Sequence, residues 1–213
     1  MYKFDRVKPY AFYRMMRRPL AGIVRLLFKL EVHGRENLPA DASGVIIACN
    51  HLHAADPGFL VAATGLNWRF MAKQELFASG AVRWACTRFN AFPVRREVVV
   101  DRPAIDFAAA VLEDGRAGLG IFPEGTRSPD GTPQAGKNGA AVLARKTGAD
   151  VLPCSLYWDG KLRRGTRVTV RIGEVIPFDQ LGMGQAPNKR ENAAATAKIM
   201  GAIEALWMLD ARR

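Results

Sequence analysis

Short apolar runs alternate with amphipathic stretches along most of this chain. Runs at 44–49, 68–72, 90–94, 117–122, 150–156 and 167–172 are rich in Val, Ile and Leu. They are too short for helices and too apolar for one solvated face, which predicts strands buried on both sides. Helical spacing separates them at 57–64, 75–87, 103–115 and 137–147. A last helix is expected over 188–209, with Ile199, Met200, Ile203, Leu206 and Trp207 forming a core-facing stripe. Strand–helix alternation predicts an α/β fold: a single domain whose mostly parallel mixed sheet is flanked by helices. No repeat or low-complexity tract interrupts it.

The first 30 residues follow another pattern. Pro19 suits a first helical position. Beyond it, Leu20, Ile23, Val24 and Leu27 recur at i, i+3, i+4 and i+7, with Arg18, Gly22, Arg25 and Lys29 in a narrow wedge opposite. A wide apolar face with a basic wedge describes a helix lying in a membrane interface. An ordinary helix packed on the core with solvated basic residues remains the alternative. The expected division is therefore 1–30, an N-terminal amphipathic helical segment, and 31–213, the α/β unit. Leu20–Leu30 is broken by Arg25 and Lys29 and is shorter than the about 20 residues a spanning helix needs. Peripheral attachment at the cytoplasmic face of the cell membrane is the expectation.

Charge sharpens this picture. The 213 residues carry a formal charge of +11, and residues 1–35 hold nine Lys/Arg against Asp5 and Glu31. Such an excess implies an anionic partner: nucleic acid, an acidic membrane surface or a phosphorylated substrate. Nucleic acid is not predicted, because no basic stripe with interleaved aromatics, zinc pattern or helix-turn-helix signature is present. Cys49, Cys86 and Cys154 are scattered and contain no CxxC pair, so they read as small buried residues of a reducing compartment. His33, His51 and His53 are the only histidines and form no ligand set, so no metal is expected.

Two segments carry candidate chemistry, each just after a strand-like run. The first is Asn50-His51-Leu52-His53-Ala54-Ala55-Asp56. His51 and Asp56 would point about 140° apart on a continuous helix, so they meet only if His51 lies in the turn before one. Pro57 as a first helical residue supports that turn, with Asp56 as its cap. Asp56 then has two compatible readings, a helix cap or a carboxylate that fixes the imidazole tautomer. His53 is a second candidate base. The other segment is Phe122-Pro123-Glu124-Gly125-Thr126-Arg127-Ser128. Gly120 and Gly125 allow close backbone approach. Arg127 offers a planar fork for phosphate, and Glu124 can orient it or accept from a hydroxyl. The alternative is a surface turn with an exposed Glu/Arg pair. Lys73, Arg95 and Arg96 follow other strand candidates. The cationic stretch Gly136-Lys137-Asn138-Gly139 opens a helix but lacks a nucleotide-hydrolysing phosphate loop.

Taken in order, NHLHAAD, MAKQELF, NAFPVRR, FPEGTRS and VLPCSL resemble the lysophosphatidic acid acyltransferase family over residues 40–160. The resemblance implies transfer of a fatty acyl group from an acyl thioester, on coenzyme A or acyl carrier protein, to the sn-2 hydroxyl of 1-acyl-glycerol-3-phosphate. No cofactor is implied beyond that co-substrate. It makes His51 the base and Asp56 its partner. Lys73, Arg96, Glu124 and Arg127 become contacts to the glycerol phosphate, with Gly125 and Thr126 shaping the loop. Val151, Leu152 and Pro153 match the block linked to the acyl side. It also implies N-terminal helices on an anionic membrane surface. Asn90 stands where Gly is frequent, and Arg95 where Asp is frequent. The second departure doubles the local positive charge and keeps another lysolipid acceptor, such as a lyso-ornithine lipid, as an alternative.

Overall fold

A computed structural model describes residues 11–95, 101–184 and 186–212. Among them, seven strands form one sheet: β1 (Lys29–His33), β2 (Val45–Cys49), β3 (Trp68–Lys73), β4 (Ala91–Val94), β5 (Gly118–Ile121), β6 (Asp150–Tyr157) and β7 (Arg167–Ile172). Their order is β1-β7-β6-β2-β5-β3-β4, and only β6 and β7 pair antiparallel. The helices are α1 (Ala11–Leu27), α2 (Asp56–Thr64), α3 (Gly80–Arg88), α4 (Arg102–Glu113), α5 (Gly139–Thr147) and α6 (Lys189–Ala211).

The continuous apolar runs follow from burial on both faces. Along β2, Ile46 and Ala48 join the core under α4, α5 and α6, built with Phe107, Val111, Leu143, Ile199 and Ile203. Val45, Ile47 and Cys49 join the opposite core under α1 and α2, built with Tyr13, Val24, Phe59 and Leu60. Side chains alternate across a strand, so such a strand has no polar face to show. The glycines of β5 serve packing. A Cβ on Gly118 would stand 2.3 Å from the Trp68 ring, and one on Gly120 would stand 2.2 Å from the Phe70 ring. The close approach expected at Gly120 is therefore that of Phe70.

Three local readings are corrected. Pro19 lies inside α1, because residues 11–18 are already helical before it. Burial of Tyr13 and the edge-on contacts of Phe12 with Trp84 and Phe89 hold that first half against the protein. Lys29 and Leu30 belong to β1, which runs parallel to β7. The long helix expected over 75–87 is broken. A 3-10 turn covers Gln74–Phe77, Ser79 is extended, and α3 begins at Gly80.

The apolar face of α1 also divides. Val24 is buried, and Leu20 packs partly against the same core. Met15, Ile23 and Leu26 point away, at 65%, 51% and 75% exposure. The helix is thus both packed and apolar outside. Its basic wedge is partly engaged as well, since Arg25 Nη2 donates to the Ala62 carbonyl. No helix among the described residues is long and apolar enough to cross a membrane.

Parallel strands deliver their carboxyl ends to one edge. Here β2 delivers His51, β5 delivers the Phe122–Ser128 loop, β3 delivers Lys73 and β4 delivers Arg95.

Candidate active site

The turn after β2 places His51 ahead of α2. Asp56, fully buried, is the first residue of that helix. Its Oδ2 accepts from His51 Nδ1 at 2.7 Å, from Leu52 N–H at 2.7 Å and from His53 N–H at 2.9 Å. The cap position is Ala55, with no side-chain cap bond. Of the two readings of Asp56, the carboxylate thus serves the histidine turn instead of capping the helix. A carboxylate only accepts, so Nδ1 carries the proton and Nε2 of the neutral ring keeps its lone pair. The His51 side chain retains 10% exposure, and Nε2 has no partner among the described residues. The ring stacks on Phe122 at 4.1 Å and 17°, and Phe122 stacks on Phe70 at 6.1 Å. Hydrogen bond and stack together fix the imidazole in plane and tautomer.

His53, the second candidate base, is held differently. Its ring is exposed, and its Nδ1 accepts from Ala55 N–H at 3.1 Å within the same turn.

The two sequence segments meet directly. Ser128 N–H donates to the His51 carbonyl at 2.7 Å, and His51 N–H donates to Glu124 Oε1 at 3.2 Å. Glu124, expected among the contacts to the acceptor, is only 2% exposed and is turned beneath the histidine turn. Burial pushes its carboxyl up to about 7. The charges of Asp56 and Asp130 add to that rise, and the N–H groups of His51 and Gln134 oppose it. Its Oε2 is buried without a partner. Gly125 follows at φ +71°, a left-handed conformation that glycine adopts without strain. Thr126 and Arg127 are exposed at the surface of the same loop.

The remaining cations are unequal. Lys73 ends β3 and pairs with Glu75 at 3.2 Å in an exposed contact, which is worth little. Arg95 donates through Nη2 to Asp101 Oδ1 at 3.1 Å, and its backbone N–H donates to Oδ2 at 2.7 Å. Burial pushes the Asp101 carboxyl up, yet the hydrogen bonds from Arg95 outweigh it and hold it below its ordinary value. Arg95 is therefore neutralised locally, and the doubled positive charge expected from the Arg-Arg pair is not delivered by this residue. Arg96 lies outside the described residues. Asn90 adopts φ +62°, the conformation in which Asn best replaces Gly. Cys49 and Cys154 are fully buried and burial pushes both thiols up, while Cys86 is half-buried. No thiol is placed as a nucleophile among them.

Sequence reasoning missed the supports of the site. Asn50 clamps the histidine turn to β6, donating to the Leu156 carbonyl at 3.0 Å and accepting from Leu156 N–H at 2.8 Å. A polar residue closing a buried strand was the available signal. Phe122 as the stacking platform and Gln134 as a donor to Glu124 carried none, because both depend on where the loop folds back.

At one edge of an α/β sheet, a histidine bonded to a buried carboxylate is thus joined to a Glu-Gly-Thr-Arg loop. The chain belongs to the Acyltransferase family, whose model matches residues 29–157. Its relatives include the 1-acyl-sn-glycerol-3-phosphate acyltransferase of Bacillus subtilis, 32% identical over 198 residues, which covers 91% of this chain and 96% of that protein. The chloroplastic 1-acyl-sn-glycerol-3-phosphate acyltransferase BAT2 of Brassica napus is 31% identical over 63% of this chain, and the match spans only 39% of that longer protein. The crystal structure of the 1-acyl-sn-glycerophosphate (LPA) acyltransferase PlsC of Thermotoga maritima superimposes with a TM-score of 0.71 at 25% identity, covering 94% of this chain and 82% of that one.

Proposed function

We propose that the protein transfers a fatty acyl group from an acyl thioester to the sn-2 hydroxyl of 1-acyl-glycerol-3-phosphate, giving phosphatidic acid. The observation that supports this reading is the 2.7 Å bond between His51 Nδ1 and Asp56 Oδ2, which leaves the Nε2 lone pair available to act as a base. An acceptor hydroxyl is too weak an acid to ionise freely, so it needs such a base as it attacks. Nε2 takes the hydroxyl proton, the alkoxide oxygen bonds the thioester carbon, and the C–S bond breaks. The departing thiol ionises near about 8.5, so no strong acid is required. Arg127, Lys73 and Arg96 hold the acceptor phosphate so that the hydroxyl meets Nε2. Glu124 acts through the loop, by holding His51 N–H. The donor is acyl-coenzyme A or acyl carrier protein.

Attachment to an anionic membrane surface belongs to the same proposal. Met15, Ile23 and Leu26 on α1 face outward with the exposed Arg14 and Arg18. Val82 and Trp84 on α3 add 41% and 54% exposure, and Trp84 touches Phe12 of α1. Apolar side chains beside cations suit an acidic lipid interface.

The test is incubation of the protein with lysophosphatidic acid, a lyso-ornithine lipid and monoacylglycerol, each with both donors, followed by mass spectrometry of the lipid products. Phosphatidic acid as the dominant product is expected. Acylation of another lysolipid in preference to lysophosphatidic acid refutes the proposed acceptor.

A further inference from the structure

Lys137 is absent from the expected site residues, although its stretch is cationic, and the fold brings it to the site. Its N–H donates to the Pro123 carbonyl at 2.8 Å, which pins the chain ahead of α5 against the residue before Glu124. Its side chain then runs over Gly125. A Cβ built on Gly125 would stand 3.0 Å from both Cδ and Nζ of Lys137, and 3.1 Å from Cε. Gly125 is thus required twice, for its φ of +71° and for the space the lysine stem occupies.

The other described cations of this edge differ. Lys73 shares its charge with Glu75, and Arg95 shares its charge with Asp101. Arg127 and Lys137 are both exposed, but no stem packing like that of Lys137 is seen for Arg127 among the described residues. Lys137 has its stem packed on the loop and an ammonium without a hydrogen bond or ion pair among the described residues. That loop is bonded to His51 through Glu124 and Ser128. In the acceptor only two carbons and one oxygen separate the reacting hydroxyl from the phosphorus. Base and phosphate cation must therefore stand close together, and Lys137 lies over the same loop that is bonded to His51.

We infer that Lys137 is a ligand of the acceptor's phosphate, and that it sets preference for phosphomonoester lysolipids over neutral ones. This rests on the acceptor proposed above. A cation whose stem already lies along the loop loses less freedom when the phosphate arrives, and a charge-assisted hydrogen bond is among the stronger contacts.

The test compares the wild type with Lys137→Met and Lys137→Arg, as full-length protein, using the thioester donor that the wild type accepts. Methionine keeps a stem over Gly125 and removes only the charge. Lys137→Met is expected to raise the KM for lysophosphatidic acid about tenfold or more. The donor KM, the melting midpoint and any turnover of monoacylglycerol should stay unchanged, and Lys137→Arg should recover most of the loss. An acceptor KM within twofold of wild type, a change in donor KM instead, or equal impairment by Arg and Met overturns the inference. In those cases wild-type turnover of lysophosphatidic acid leaves the proposed function standing. Wild-type preference for monoacylglycerol overturns both.

Discussion

The histidine turn and the cationic rim occupy the same sheet edge but are built in opposite ways. Around His51 the polar contacts are buried or part-buried and numerous: Asp56 accepts three N–H bonds, Glu124 and Ser128 tie the loops, and Phe122 stacks on the ring. Around Arg127 and Lys73 the side chains are exposed and weakly held. The difference fits the two tasks proposed for these groups. Proton transfer tolerates little misplacement, so its groups are fixed before the substrate arrives. Capture of a charged head group benefits from solvent-facing cations that reach out, and screening by water is the cost.

The strongest way to break this contrast is at the base. His51→Ala should reduce kcat by about 10³-fold or more while the circular dichroism spectrum stays native. Substantial residual turnover in the folded variant would show that another group takes the proton.

Glu124 tests the buried half without touching the reacting atoms. Its folded carboxyl titrates at about 7, above its ordinary 4.5. Below about pH 4.5 it is protonated in both states and costs nothing. As pH rises to about 7 the unfolded chain ionises first, so stability falls across that window, by about 3 kcal/mol at most. Glu124→Gln removes this titration, and its stability should change less than that of wild type between pH 4.5 and 8 in urea unfolding. Parallel pH profiles for the two proteins would mean that the carboxyl is not strained by burial.

The exposed half should respond in binding, not in chemistry. Arg127→Ala is expected to raise the acceptor KM by about tenfold, with kcat within a few-fold of wild type. A fall in kcat at constant KM would place Arg127 with the buried machinery and erase the distinction.

The smallest effect concerns the outward face of α1. Ile23→Ser with Leu26→Ser should weaken sedimentation with vesicles of anionic phospholipid several-fold and leave the melting midpoint unchanged, because both side chains are exposed. Equal vesicle binding by variant and wild type would remove α1 from the membrane contact.

Particular residues show where reading the chain succeeds and where it stops. The strand at 150–156 was readable because a strand buried on both faces must be apolar throughout, and β6 runs Asp150–Tyr157. The pairing of His51 with Asp56 was readable because both lie in one short turn before a proline. Lys29–His33 was missed as a strand, since a five-residue edge with mixed polarity differs little from a helix end until β7 stands beside it. Arg95 reads as added free charge in the sequence, because Asp101 is reached only when the chain returns to α4.

The order of apolar runs and the spacing of His, Asp, Glu and Arg by themselves determined the fold class, the family and the pairing of His51 with Asp56. These features are local, governed by strand periodicity, turn chemistry and residue type. Tertiary structure alone decided that Glu124 turns inward, that Phe122 carries the imidazole and that Lys137 lies over Gly125. Those outcomes depend on how separate segments share space after the chain has folded back. Burial and proximity across dozens of residues leave no fixed spacing to read.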